Sequence, residues 1–485
     1  MHRILPFLLV CTLFFACRPD QPSQQLLVHA TITDLKGTTI KEAASGESIL
    51  INSSELAELF PNGIPANQAK LFFNDVPAAF QQAGPGSIGA KIPLMLMVNY
   101  ATLRIRIQIN NFTINIIDFI IYRPRVTAEV LAGNDGTFQM PAEMTIDATG
   151  NLYLIDQRTG HDVIYRVTPT GATSLFAGGK NEFGRLVGIG INNTTSNIYV
   201  SDATAQQVKW FNLSSPSTVN VLAGSGSAGN ADGTGTAASF RFGSEMVNSF
   251  TTNEKGQGLT IDASGNIFVG EVYGTGSGGL ESQIRRITPT GETTTVPGSR
   301  ITMIMDGDAP HPPAGITIQQ PTNEVVYIGG ASSFFQGIAR ISTTGTMTRI
   351  AGRVSTESFT DGTGTAATFT FPKALSYFNG YFHIADGSNG AYRRMTAGGE
   401  VITIAGVGHM ETPTFCGGGP CAGVSPVTAS YIFPSIFDGN PQKFRDAAHA
   451  IKLDQVGGIA VRTNGLIYLT DYGTNFKCVW RIRIE

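Results

Sequence analysis

Charge is scarce in this 485-residue chain: Asp, Glu, Lys and Arg make up 14% of it, and 33 basic against 36 acidic residues leave a net charge of -3. With a pI near 6.2 and no basic stripe, nothing is present to neutralise a phosphate backbone, and nucleic acid is excluded as an expected partner. Apolar runs of transmembrane length are missing beyond the N-terminus, so no helix of the mature chain is expected to span a bilayer. Cysteine is limited to five residues, none at zinc-ligand spacing. There is no Gly-x-Ser-x-Gly elbow, no P-loop and no dinucleotide fingerprint, which removes the hydrolase, nucleotide and nicotinamide chemistries that those motifs carry.

What remains is an all-β pattern. Glycine reaches 57 residues, and Thr, Ser and Asn fill the intervals between short apolar runs. The N-terminus is a targeting segment: His2 and Arg3 precede the apolar run from Ile4 to Ala16, the proportions of a signal peptide over residues 1–16. Its end, Phe14-Phe15-Ala16-Cys17, resembles the lipobox of bacterial lipoproteins, with a small residue before the cysteine and bulky Phe14 and Phe15 where that pattern has Leu and a small residue. The resemblance implies lipidation at Cys17, a tether over residues 17–26, and an outer-membrane lipoprotein of the cell envelope, facing the periplasm or the exterior. An ordinary secretory signal is the alternative. Cys416 and Cys421 flank Gly-Gly-Gly-Pro, where a local disulfide would contribute roughly 2 kcal/mol and two free thiols are the other option. Cys478 lies in an apolar run as a small hydrophobe.

Residues 27–123 carry alternating runs, Ser48–Ile51, Ala69–Phe73, Ala90–Pro93, Leu103–Ile107 and Phe112–Ile116, the mark of sheets with one wet face. Gly46–Ile51, Lys70–Ala78 and Ile88–Pro93, with the paired strands after Tyr100, are similar to the IPT/TIG domain, an immunoglobulin-like β-sandwich. The Gly-x-Asn-Phe usual after its first strand is replaced by Asn52-Ser53-Ser54 and an insert through Pro65. The resemblance implies a spacer or interaction domain.

Residues 124–485 are built on a repeat. Its second strand reads NLYLID (Asn151 to Asp156), NIYVSD (Asn197 to Asp202), NIFVGE (Asn266 to Glu271), VVYIGG (Val325 to Gly330), YFHIAD (Tyr381 to Asp386) and LIYLTD (Leu466 to Asp471). An apolar strand precedes each, an apolar-x-Arg-apolar strand follows in all but the second, where Trp210 replaces the Arg, and most units add a strand closing in Ala-Gly. Four strands per unit predict a β-propeller. The motifs resemble the NHL repeat, which implies an open-centred, TolB-like six-bladed propeller. The last unit stops after its third strand, while a spare fourth strand, Val126–Gly133, precedes the first, so this N-terminal strand is expected to close the ring. A degenerate seventh blade within Val407–Gln455 is the alternative count.

The loops from fourth to first strand and from second to third share one face in such a ring, and the long ones lie there, which nominates it for binding. Tyr273, Phe334, Phe335 and Phe437 are aromatics suited to stacking on a sugar or peptide. Glu143, Gln257 and Lys373, at the starts of first strands, are expected to surround the channel mouth and suit a small polar ligand. His161, His311, His409 and His449 fall in loops of this face, and three of them could hold zinc, as in NHL-like amidating lyases. Asp156, Asp202, Asp386 and Asp471 repeat at one place in the unit and are expected to tie the turn after the strand, and His383 replaces an aromatic core residue. No cofactor is assigned. The preferred function is a lipid-anchored binding protein, with a glycan or protein ligand by resemblance to IPT/TIG-plus-NHL lipoproteins of polysaccharide uptake; a metal-dependent propeller lyase or lactone hydrolase and an assembly scaffold are the alternatives.

Overall fold

The computed structural model describes residues 24–484 apart from 45–46, 66–67, 93–100, 180–181, 244–257, 275–279, 304–312, 330–334, 355–358, 407–428, 433–450, 474–475 and the single positions 75, 111, 124, 134 and 452. Its contacts divide the chain into two compact units, the first running to Arg125 and the second beginning at Val126.

The first unit is two sheets over one core. One sheet orders Gln24–Val28, Phe112–Arg123, Ala101–Ile109, Ala69–Phe73 and Val76–Ala78, with Glu42–Ala44 also on Phe112–Arg123; the other orders Thr31–Asp34, Ser48–Asn52, Ser87–Lys91 and Phe80–Gly84. Alternation puts Leu71, Phe73, Ile105, Ile107 and Ile114 of the first sheet and Ile32, Ile49, Ile51 and Ile88 of the second into a single cluster. Each such side chain contributes about 1.5–3 kcal/mol on burial. The insert after Asn52 holds a helix, Ser54–Leu59, that the alternation did not announce. Ser53 Oγ accepts from the Leu56 N–H at 3.2 Å, and Glu55 sits in the first turn, so a six-residue segment is capped and pinned through buried Leu56.

In the second unit, the described strands form six antiparallel sheets. The first four run Pro141–Ile146 to Thr173–Ala177, Leu186–Asn192 to Ser215–Ala223, Leu259–Ile261 to Glu292–Thr295, and Pro313–Gln319 to Met347–Val354; the fifth is Pro372–Phe378 to Glu400–Gly406. The sixth joins Val456–Val461, Ile467–Asp471 and Cys478–Ile484 to Arg125–Gly133, with Val126 opposite Ile484 and Gly133 opposite Cys478. Thus the strand that opens the second unit, Arg125–Gly133, pairs with the last strand of its last sheet. Each first strand packs against the first strand of the next sheet, and that of the sixth against that of the first. Leu152–Asp156 and Ile467–Asp471 are buried along their whole length, and Asn197–Asp202, Glu324–Gly329 and Tyr381–Asp386 are buried beyond their first residue, because both faces of these second strands are covered.

Register corrects the alignment of the fourth unit. Val326 is opposite Arg340, as Tyr153 is opposite Arg166, so Val326 takes the place assigned to Tyr327 and Gly329 that of the strand-end acid. Tyr327 therefore faces the cluster of Phe268 and Ile316, while Val326 joins that of Phe382. His383 does hold the aromatic position, opposite Arg394; it is buried, its Nδ1 lies 2.7 Å from the Tyr392 hydroxyl, and burial lowers its pKa to about 3.

Candidate functional site

The strand-end acids organise the loops around the site. Asp156 Oδ1 accepts from the Gln139 and Met140 N–H groups at 2.8 Å, and Asp471 accepts from those of Asp454 and Gln455 at 2.9 and 3.0 Å. Asp202 takes Gly184 as well as Thr204 and Ala205, and Asp386 takes Thr370. Their main duty is to hold the loop entering their own first strand; only part of it is the turn that follows. The two loop classes consequently share one face.

Cations one step before the repeated Arg complete this frame, a feature the sequence reading missed. Arg393 donates to Asp386 Oδ2 at 2.8 Å and Asp361 Oδ1 at 2.9 Å, and to the Thr368 and Thr360 carbonyls. Arg285 repeats this with Glu271, Asp232, Ser239 and Ala231. Both are fully buried and clamp the two Asp-Gly-Thr-Gly-Thr-Ala-Ala segments, each of which adds a short strand and a 3-10 turn beside its sheet. Phe240 and Phe369 lie buried beneath these segments, as loop supports. The signal available in the sequence was the doublet Arg285-Arg286 and Arg393-Arg394, whose first member the motif does not explain.

Each first strand is the edge strand of its sheet. All six line one channel of about 230 Å³, below the roughly 300–1,000 Å³ of common ligand pockets. Met144, Ile189, Leu259, Ile316, Leu375 and Ile459 occupy one register level. The residue before each is Glu143, Gly188, Gly258, Gly315, Ala374 and Gly458, so five of six positions carry a methyl group or less. Close strand approach requires this: a Cβ on Gly458 would lie 2.5 Å from the Ala142 oxygen, and one on Gly258 would lie 2.7 Å from the Ile316 nitrogen. Register shifts fall at this level in five of the strands, and in the first the irregular stretch between Pro141 and Met144 contains Glu143.

Glu143 is thus the single long side chain of the glycine tier. It lines the channel, it is partly buried, and its carboxyl makes no hydrogen bond among the described residues. Burial pushes its pKa up to about 8, with the charge of Lys373 acting in the opposite sense. The following residues form a second tier, Thr145, Thr260, Thr317 and Ser376 with Gly190 and Ala460. Four hydroxyls therefore sit two residues beyond the carboxyl level.

Lys373 stands one residue earlier than the Glu143 level, aligned with Ala142, and its stem runs against Gly387. Gln257, Phe334 and Phe437 lie outside the described residues, as do Cys17, Cys416, Cys421, His311, His409 and His449. Tyr273 and Phe335 are in strands, Ile267–Gly274 and Phe335–Ile341. His161 lies in the turn between Leu152–Asp156 and Val163–Val167, half-buried beside Asp162. Among the described residues, no three His, Cys, Asp or Glu side chains are grouped to hold a metal.

No family model matches the chain, and no curated protein matches it. Solved structures do. A structural-genomics protein of unknown function from Bacteroides thetaiotaomicron VPI-5482 aligns at TM-score 0.53 and 12% identity, over 96% of this chain and 99% of that one. Auxiliary nutrient binding proteins align from the same organism (TM-score 0.50, 13% identity, 96% and 99% covered) and from Bacteroides ovatus ATCC 8483 (0.51, 14%, 96% and 100%). At such identities the likeness is one of fold, an all-β chain with propeller-type sheets.

Proposed function

We propose that this chain is a lipid-anchored binding protein of the bacterial envelope, in which an IPT/TIG-like sandwich, residues 27–123, carries a six-bladed NHL-type propeller whose channel face takes a glycan. The observation that carries the binding role is the lone Glu143 carboxyl among glycines. It is held in a channel of about 230 Å³ walled by six strand edges, where it makes no hydrogen bond among the described residues. Desolvating a carboxyl that accepts no hydrogen bond costs free energy that a ligand would offset. The proteins named for auxiliary nutrient binding share the fold and support a binding role; glycan is the ligand class by the resemblance of the sequence motifs. Cys17 supplies the anchor, residues 17–26 the tether, and Lys373, Gln257, Tyr273, Phe334 and Phe335 are further candidates for ligand contact.

Affinity electrophoresis of the full mature chain against a polysaccharide panel tests this. Retardation by at least one glycan, relieved by substitution of Glu143, is the expected outcome, and no retardation by any glycan overturns the ligand class. Stoichiometric zinc in purified protein, released on substituting His311 or His449, would turn the reading to the metal-dependent enzyme.

A further inference from the structure

We propose that the channel takes a primary ammonium group, with Glu143 as its counter-ion and the hydroxyls of the neighbouring tier as acceptors, so that the bound glycan carries an unacylated amino sugar. This rests on the channel being the ligand site. Its argument is the donor and acceptor inventory. The polar side chains lining the channel are a carboxyl, the hydroxyls of Thr145, Thr260 and Ser376, Thr317 Oγ1, which already accepts from the Tyr377 N–H at 3.1 Å, and Asn193, whose amide is engaged with the Ile146 carbonyl and the Ala148 N–H. An ammonium group has three donors and no acceptor, which matches this acceptor-rich set. The charge of Lys373 already acts on this group, yet burial outweighs it; a neutral sugar brings no further cation to draw out the carboxylate form, and a carboxylated one would oppose that form as a like charge. The glycine tier limits the approach to a small group, since the wall at that level is backbone apart from Glu143, its one long side chain.

Proton balance follows. Burial holds the Glu143 carboxyl protonated near neutral pH. On binding, its O–H proton leaves to solvent, and the ammonium N–H groups donate to the carboxylate left behind, so one proton is released per ligand and the ammonium stays charged.

The test is titration calorimetry of the full mature chain at pH 6.5 with glucosamine, N-acetylglucosamine, glucose and ethanolamine, in phosphate and in imidazole buffer. Glucosamine is expected to bind at least about tenfold more tightly than its N-acetyl form, with a buffer-dependent enthalpy that reports proton release. Glu143→Gln is expected to abolish both the preference and the proton release, and Glu143→Asp to restore part of each. Equal or tighter binding of N-acetylglucosamine, or a preference that survives Glu143→Gln, overturns the proposal while leaving glycan binding intact. If ethanolamine binds through Glu143 and no sugar does, the ammonium site stands and the glycan reading fails.

Discussion

Replacing Glu143 by Gln should stabilise the protein, and only above mildly acidic pH. The folded-state pKa is raised from 4.5 to about 8, so the folded chain holds a proton on this group that the unfolded chain has already lost. Stability therefore falls as pH rises through that window: the contribution is fully present below pH 4.5 and gone above about 8. At about 1.4 kcal/mol per pH unit the whole window amounts to at most roughly 5 kcal/mol. Part of the Glu143 surface remains open to the channel, where water screens the charge, and a loss of about 2–3 kcal/mol is the expected size. Glutamine mimics the neutral acid in shape and polarity. Urea unfolding at pH 5 should give nearly equal midpoints for the two proteins, and at pH 9 the variant should unfold at higher urea. Comparing the difference between them removes the contributions of other groups that titrate in this range, such as Asp471, whose burial pushes it to about 6. Parallel curves from pH 5 to 9, or a less stable variant at pH 9, would refute the placement of this carboxyl in a desolvated channel.

The remaining perturbations address the frame and the anchor. Arg393→Met strands the buried Asp386 carboxylate and frees the Thr360 and Thr368 carbonyls, and should cost about 3–5 kcal/mol by urea unfolding. Arg166→Ala removes only a bond to Asn151 at 3.2 Å and should cost under about 1 kcal/mol. Gly458→Val forces a side chain against the Ala142 oxygen and the Glu143 Cα and should destabilise by about 1–3 kcal/mol, read by the same unfolding assay. Deleting residues 126–133 should leave the edge of Cys478–Ile484 unpaired, and the purified product is expected to aggregate in size-exclusion chromatography where the full chain does not. Cys17→Ser should move the protein from the membrane to the soluble fraction; retention in the membrane fraction would remove the anchor.

The repeat was legible because a strand covered on both faces has little choice of residue: Leu152–Asp156 and its echoes must be apolar throughout and must end in an acid that collects loop N–H groups. The spare strand before the first unit was legible for a similar reason, since an unpaired edge in the last sheet needed a partner. Less legible was whatever depends on counting strand residues through a bulge. In the fourth unit, Gly329-Gly330 hides which residue ends the strand, and the conspicuous Tyr327 drew the alignment one residue off. The same ambiguity conceals the channel. Glu143 and Lys373 look equivalent as residues near strand starts, yet the register shift after Pro141 and Pro372 puts Glu143 level with Ala374 and Lys373 level with Ala142. Once the levels are set, the glycines that appear as scattered turn residues become one tier, and the departure from that tier is the informative residue. A site built this way leaves no motif, because its signal is one exception to a pattern that exists only after the six first strands are aligned in register.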